Sequence, residues 1–202
     1  QLFPVHVPAD LPPGHGQDLL DARLDHRGDQ VPRDLARGPA GSWDNGYAGI
    51  SSAIRDEASG RLFAFYHAED QEGRPRNAAG VPGFYCSIAL AVSKDEGRSF
   101  DKIGPVLASV PPKRNDSAFD QGCGEPCVIV DRYHRFLLAY YVDHSRWGGR
   151  GVQICLARSA LSEGGRPGTW SKYYDGAFSE PGLGGKDTPI VSAKALGADA
   201  LF

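Results

Sequence analysis

The stretch RLFAFYHAED, Arg61 to Asp70, decides the fold because the chain contains a close copy of it. The second copy, RFLLAYYVDH from Arg135, begins 74 residues later. Short runs rich in aromatic and aliphatic residues are typical of β-strands. A further pair supports the repeat, since SIALAVS from Ser87 matches QICLARS from Gln153 at an offset of 66. A chain built from copies of one strand group predicts a fold of repeated sheets.

Turn-forming residues separate these strands throughout the chain. The 202 residues include 26 glycines and 15 prolines, which favours short strands joined by turns over helices. The strand candidates form two groups of four, and such repeats predict an all-β fold, a β-propeller of four-stranded antiparallel blades. The first group is YAGISSAIRD (47–56), RLFAFYHAED (61–70), FYCSIALAVS (84–93) and SFDKIGPVL (99–107), and the second is GEPCVIVD (124–131), RFLLAYYVDH (135–144), GVQICLARS (151–159) and TWSKYYDGAF (169–178).

The repeat also predicts the domain organisation. Residues 1–41 are polar and rich in Pro, Gly and Asp, and we expect them to form an N-terminal arm. Residues 42–202 are expected to form a partial propeller, with blades at 42–110 and 117–180 and the start of a third at 184–202. A closed ring of five such blades requires roughly 350 residues. We therefore expect that the rest of a longer protein, or another chain, completes the ring.

Composition excludes several classes of partner. The formal net charge is -3, with acids and bases mixed along the chain, so there is no basic face for nucleic acid and no polybasic segment for a membrane. The apolar runs are far shorter than the roughly 18 residues of a membrane span. The four cysteines lack the spacing of a zinc site, which favours buried thiols or one disulfide. We expect no metal in the active site and no cofactor, with a structural calcium ion the one alternative left open.

A turn motif follows the third strand of the first group. Ser93 to Phe100 reads S-x-D-x-G-x-x-F, and it resembles the Asp box of sialidases and related propellers. We expect Asp95 to accept backbone N–H bonds, Gly97 to adopt positive φ and Phe100 to be buried. The resemblance implies a structural element that lies away from the catalytic centre.

Polar residues are predicted to converge on one face of the propeller, because inner strands start there and the loops after the second strands return there. One copy of a short motif, WDNG at Trp43–Gly46, matches FDQG at Phe119–Gly122 at these inner-strand starts. A repeated Asp also suits a repeated turn, and that alternative stays open. Carboxylates beside amide, imidazole and aromatic groups are the chemistry that glycoside cleavage needs. The candidate substrate-binding residues are Trp43, Asn45, His67, Glu69, Asp120, Asp143 and His144.

This arrangement resembles the five-bladed propeller glycoside hydrolases, the arabinanase, xylosidase and fructosidase group. The resemblance implies three catalytic acids at the inner-strand starts of the first three blades: Asp44 as general base, Glu125 as general acid, and Asp187 to orient groups or tune the acid's pKa. One departure is that those families usually carry a Glu as proton donor in the third blade, where this chain has Asp187. The roles of Glu125 and Asp187 are therefore open to exchange.

The implied function is hydrolysis of a poly- or oligosaccharide by a secreted or periplasmic enzyme. Two alternatives remain from the sequence. A sialidase-like hydrolase would need an arginine cluster for the substrate carboxylate, and no such cluster is evident. A non-catalytic carbohydrate-binding propeller would keep the aromatic and polar groups without an acid–base pair.

Overall fold

The computed structural model describes residues 22–24, 30–32, 34–57, 59–116, 119–146 and 151–192, and within them the fold is all-β apart from one 3₁₀ turn at Leu161–Glu163. No helix in these ranges has the length and apolarity that a membrane crossing requires. The strands are β1 Ala22–Leu24, β2 Gln30–Pro32, β3 Tyr47–Arg55, β4 Leu62–Asp70, β5 Tyr85–Ser93, β6 Asp101–Leu107, β7 Gln121–Val130, β8 Phe136–Asp143, β9 Gln153–Ala160, β10 Trp170–Tyr174, β11 Ala177–Pro181 and β12 Val191–Ser192.

Two four-stranded antiparallel groups dominate the structure, as the repeat predicts. Sheet 1 runs β3-β4-β5-β6 and sheet 2 runs β7-β8-β9-β10, each strand pairing antiparallel with the next. The two are joined through a short parallel contact, in which Tyr85 pairs with Gln121 and Cys86 with Gly122. The prediction of an all-β, mainly antiparallel fold is confirmed.

One predicted strand is two strands in the structure. TWSKYYDGAF divides at Asp175 and Gly176, which have φ values of 46° and 88°, and β10 then pairs antiparallel with β11. Two successive residues with positive φ form the tight turn that Asp-Gly favours in hairpins. The Asp-Gly dipeptide was therefore the signal that the sequence prediction missed.

Both ends of the predicted domain plan lie largely outside the described residues. Of the arm at 1–41, β1 and β2 form an antiparallel pair, and residues 34–41 are also described. Of the third blade's predicted start at 184–202, Val191 and Ser192 pair antiparallel with β9 of sheet 2. The boundaries of these segments stay predictions.

Apolar residues form two cores on opposite faces of sheet 1. Successive residues of a strand point to opposite faces, so Phe65 packs between the sheets while Tyr66 faces away from sheet 2. The inter-sheet core includes Phe65, Ile88, Leu90, Leu137, Tyr141 and Trp170. The outer core includes Ile50, Leu62, Tyr66 and Ala89, with Leu35, Trp43 and Phe100 packed against it.

The packing corrects the register of the repeat. Leu62, Ala64 and Tyr66 line the face of sheet 1 that points away from sheet 2. Their counterparts, Leu137, Ala139 and Tyr141, line the equivalent face of sheet 2, which packs against sheet 1. The offset between β4 and β8 is therefore 75, and the sequence offset of 74 was wrong. The difference matters because a one-residue slip sends every side chain to the other face.

The turn at Ser93–Phe100 has the predicted backbone geometry, but Phe100 is half-buried where it was expected to be buried. Asp95 Oδ1 accepts the backbone N–H of Ser99 at 2.9 Å, Gly97 has φ 87°, and the half-buried Phe100 packs against the outer core. Hydrogen bonds from the Ser99 hydroxyl and backbone, and from Ser93, lower the pKa of Asp95 to about 2. The identity of this turn as a sialidase-type Asp box stays a prediction.

None of the four cysteines forms a disulfide, which decides between the two alternatives left by the sequence. Cys86, Cys123 and Cys155 are buried and Cys127 is exposed. Burial raises the pKa of the Cys86 thiol well above its ordinary value, and it raises that of Cys123 to about 12. These buried thiols are therefore inert packing groups.

Candidate active site

A pocket of about 190 Å³ opens where sheet 1 meets the first strand of sheet 2. The end of β4 supplies His67 and Glu69, and β7 supplies Glu125. Three of the sequence-predicted polar residues therefore share this pocket. The described residues that line it are Tyr47, Gly49, Ser51, His67, Glu69 and Glu125.

The carboxylate of Glu125 lies between two imidazoles. One oxygen is 2.8 Å from His144 Nε2 and the other is 3.5 Å from His67 Nδ1. Burial raises the pKa of Glu125, but the hydrogen bond from His144 and the charge of His144 outweigh it and lower the pKa below its ordinary value. Glu125 is thus held as a carboxylate, which suits a base, a nucleophile or a binding group better than the proton donor that the sequence suggested.

A second carboxylate lies on the other side of His67. Glu69 Oε1 is 3.2 Å from His67 Nε2, and Glu69 Oε2 accepts a hydrogen bond of 2.7 Å from Gln71 Nε2. Phe84 packs edge-on against both imidazoles, with ring centroids 5.6 Å from His67 and 6.3 Å from His144. The sequence prediction missed Gln71 and Phe84, because nothing in their spacing shows that Gln71 binds Glu69 or that Phe84 contacts histidines from different sheets.

Asp120 precedes β7 and is influenced by the same group of residues. Asp120 is exposed to solvent, but desolvation by the surrounding protein raises its pKa above the ordinary value. The nearby carboxylates of Glu69 and Glu125 add to this effect, while His144 and Arg74 oppose it. A carboxyl group with a raised pKa therefore lies near a carboxylate with a lowered one. Such a pair is typical of an acid and a base with separate roles.

Asp44 lies in a different environment from the pocket. Its buried carboxylate accepts hydrogen bonds from Ser42 Oγ at 3.0 Å and Tyr66 Oη at 3.2 Å, and it forms an ion pair with Lys102. Because Tyr66 and His67 are neighbours in β4, they point to opposite faces of sheet 1. The structure therefore does not bring Asp44 into contact with the residues around Glu125.

Asp187 has the same surroundings as Asp44. It accepts a hydrogen bond of 3.1 Å from Tyr141 Oη and lies 3.6 Å from the buried Lys172 Nζ. Tyr141 is the sheet 2 counterpart of Tyr66, and Lys172 follows Trp170 as Lys102 follows Phe100. A repeated Asp–Tyr–Lys set suits a repeated structural role, and the sequence showed the acids without their lysine partners.

The remaining predicted substrate contacts form hydrogen bonds within the chain. Asn45 Nδ2 donates to Asp70 Oδ1 at 2.7 Å, and Trp43 Nε1 donates to Tyr66 Oη at 3.0 Å. Asp143 is buried and accepts the hydroxyl of Ser109 at 2.9 Å. Among the described residues, no group of three or more His, Cys, Asp or Glu side chains is placed to hold a metal ion.

Comparison with known proteins gives distant structural matches only. No family model matches the sequence, and no curated protein does. A glycosyl hydrolase from Bacteroides ovatus shares 20% identity at a TM-score of 0.43, over 64% of this chain and 32% of that one. A putative glycoside hydrolase from Parabacteroides distasonis ATCC 8503 shares 15% identity at a TM-score of 0.42, over 75% and 41%.

A third solved structure comes from work on the GH130 family of mannoside phosphorylases, described as containing glycoside hydrolases that target β-1,2 mannosidic linkages in Candida mannan. It shares 18% identity at a TM-score of 0.44, over 72% of this chain and 41% of that one. This chain spans 32–41% of the length of these three proteins. Because the likenesses are this distant, we infer function from the residues of the site alone.

Proposed function

We propose that the pocket binds a carbohydrate and that the chain belongs to a glycoside hydrolase, cleaving glycosidic bonds with two carboxyl groups. The observation that supports this is the pocket that Glu125 shares with Glu69, where the Glu125 carboxylate lies 2.8 Å from His144 Nε2. The pKa shifts of Asp120 and Glu125, which are opposite in direction, agree with it. Glycoside hydrolysis needs one protonated and one ionised carboxyl group at a shared site.

The roles follow from these shifts. Asp120, with a raised pKa, donates a proton to the leaving oxygen of the glycosidic bond. Glu125, kept ionised by its contact with His144, activates water or attacks the sugar carbon. Tyr47 and Glu69 bind the sugar from the sheet 1 side. This assignment replaces Asp44 as base and Asp187 as third acid, because both have the repeated Tyr–Lys surroundings of a structural group.

The wider setting is part of the same proposal. Sheets 1 and 2 are two blades of a β-propeller, and further sheets, from the rest of a longer protein or from another chain, complete the ring around an oligosaccharide. A secreted or periplasmic location suits such a substrate. A sialidase-like site has less support, since no arginine is among the described residues that line the pocket.

Glu125→Gln is expected to reduce turnover by about 100-fold or more, because it removes the ionised carboxylate but keeps the shape of the side chain. Turnover is measured with the 202-residue chain on a panel of aryl pentosides and hexosides, and sugar binding by calorimetry. Glu163→Gln is the matched control, since Glu163 is exposed on the 3₁₀ turn after β9. We expect it to retain full turnover.

The pH profile gives an independent measure. Activity should fall at low pH as Glu125 is protonated, with a midpoint below the ordinary glutamate pKa of 4.5. It should also fall at higher pH as Asp120 ionises, with a midpoint above the ordinary aspartate pKa of 3.8. We expect an acidic optimum. In Asp120→Asn the alkaline limb of the pH profile should disappear, and most of the turnover should be lost. Binding of a sugar without turnover in the unmodified chain would favour the carbohydrate-binding alternative instead.

A further inference from the structure

Glu125 has an unusual backbone conformation. Its φ of 46° lies in the left-handed region, which non-glycine residues adopt only when their surroundings hold them there. The pairing of β7 with β8 shifts register between Gly124 and Cys127, so Glu125 lies in a β-bulge. Bulges redirect side chains and leave backbone groups without their ladder partners. The next residue is Pro126, which has no N–H to contribute.

Side chains of sheet 1 bind these backbone groups. The N–H of Glu125 donates to His67 Nδ1 at 3.2 Å. Ser52 Oγ accepts the N–H of Val128 at 2.8 Å and donates to the carbonyl of Pro126 at 3.2 Å. Three backbone groups of the bulge are therefore satisfied by two side chains from the other sheet.

The contact with His67 fixes the proton on its ring. Because the Glu125 N–H donates to Nδ1, that nitrogen is an acceptor and Nε2 carries the proton. Nε2 then donates to Glu69 Oε1 at 3.2 Å. Gly124 allows the close approach, since a Cβ there would lie 2.2 Å from His67 Nδ1.

Sheet 1 has a bulge at the corresponding place, between Ile50 and Ser52 of β3. Its extra residue, Ser51, is absent from the described residues with positive φ. The two sheets thus share the bulge, but only the bulge of sheet 2 contains a left-handed residue, and that residue is the acid Glu125. The residue that differs is therefore Glu125, to which the proposed function assigns the role of base or nucleophile.

We propose that Ser52 and His67 are positioning residues for Glu125, holding its bulge so that the carboxylate meets His144 at the pocket. The inference rests on the proposed function only for the role of Glu125 in turnover. The site is then assembled from both sheets: sheet 2 carries the acid, and sheet 1 sets its backbone. Ser52 is the more informative of the two, because it lies outside the pocket lining.

The test follows the Glu125 carboxyl carbon by ¹³C NMR across pH, assigned with Glu125→Gln. In Ser52→Ala we expect the titration midpoint to rise by about half a unit or more, as the carboxylate leaves His144. Turnover should fall about tenfold with KM within about twofold. Ser52→Thr keeps the hydroxyl and should restore both the titration midpoint and the turnover. The control is Ser171→Ala, a half-buried serine of β10, which should change neither.

The histidine gives a second comparison that does not depend on Ser52. Asn places an acceptor near the position of Nδ1, so His67→Asn should preserve the Glu125 titration better than His67→Ala. If the Glu125 titration midpoint, kcat and KM of Ser52→Ala all equal those of the unmodified chain, the inference is wrong. If Glu125→Gln keeps its turnover while Ser52→Ala still shifts the titration, the positioning is supported and the proposed hydrolysis is wrong.

Discussion

Replacing Lys172 with methionine is expected to lower the free energy of unfolding by about 3–5 kcal/mol. Lys172 is fully buried, and its ammonium donates to the carbonyls of Ala108 at 2.6 Å and Gly185 at 2.9 Å. The change leaves the buried Asp187 without its cation and two carbonyls without a donor. Urea unfolding followed by tryptophan fluorescence measures the loss.

Two further variants separate burial from charge. Lys94 also forms an ion pair, with Asp101 at 3.0 Å, but both side chains are mostly exposed, so Lys94→Met should cost less than about 1 kcal/mol. The double variant Lys172→Met/Asp187→Leu removes both buried charges and should recover part of the loss. Equal losses from Lys94→Met and Lys172→Met would contradict the buried role.

Gly122→Ala is expected to destabilise the chain by about 4 kcal/mol or more, among the largest effects of a single methyl group. Gly122 has φ 94° and pairs with Cys86 where the two sheets join. A Cβ there would lie 2.0 Å from the Cys86 carbonyl oxygen and 2.8 Å from its nitrogen. Backbone atoms in a paired strand cannot move aside, so the parallel contact must open.

Gly176→Ala is the control, because Gly176 has a similar φ of 88° but no atom within 4 Å of its added Cβ. It isolates the conformational penalty, which is about 1–2 kcal/mol. Thermal unfolding should therefore show a large fall in Tm for Gly122→Ala and a small one for Gly176→Ala. Similar falls would mean that the sheet junction tolerates the methyl group.

The sequence predicted the strands and their grouping well, because these features depend on residues that are close together in the chain. Alternating apolar residues bounded by Gly and Pro identify strands, and their repetition identified the two sheets. It failed on the register between copies, because RLFAFYHAED and RFLLAYYVDH align at 74 by their first residues and at 75 by their buried faces. Which face is buried depends on the neighbouring sheet, and the residues of a single strand do not show it.

For the site, the residue types were easier to predict than their partners. His67, Glu69, Glu125 and His144 were all candidates, and the structure brings them together. Their roles depend on contacts between sheets that are far apart in sequence, such as the 3.2 Å hydrogen bond from the Glu125 N–H to His67. The lysines that neutralise Asp44 and Asp187 come from fourth strands, and no motif connects them.

Because the thiols differ in burial, the number of cysteines that can be alkylated reports whether the chain is folded. Alkylating reagents attack the thiolate, and burial with a raised pKa withholds that form at Cys86 and Cys123. Cys155 is enclosed as well, whereas Cys127 is exposed on β7. One alkylated cysteine in a mass spectrum therefore marks a folded chain, and four mark a chain whose two sheets have separated.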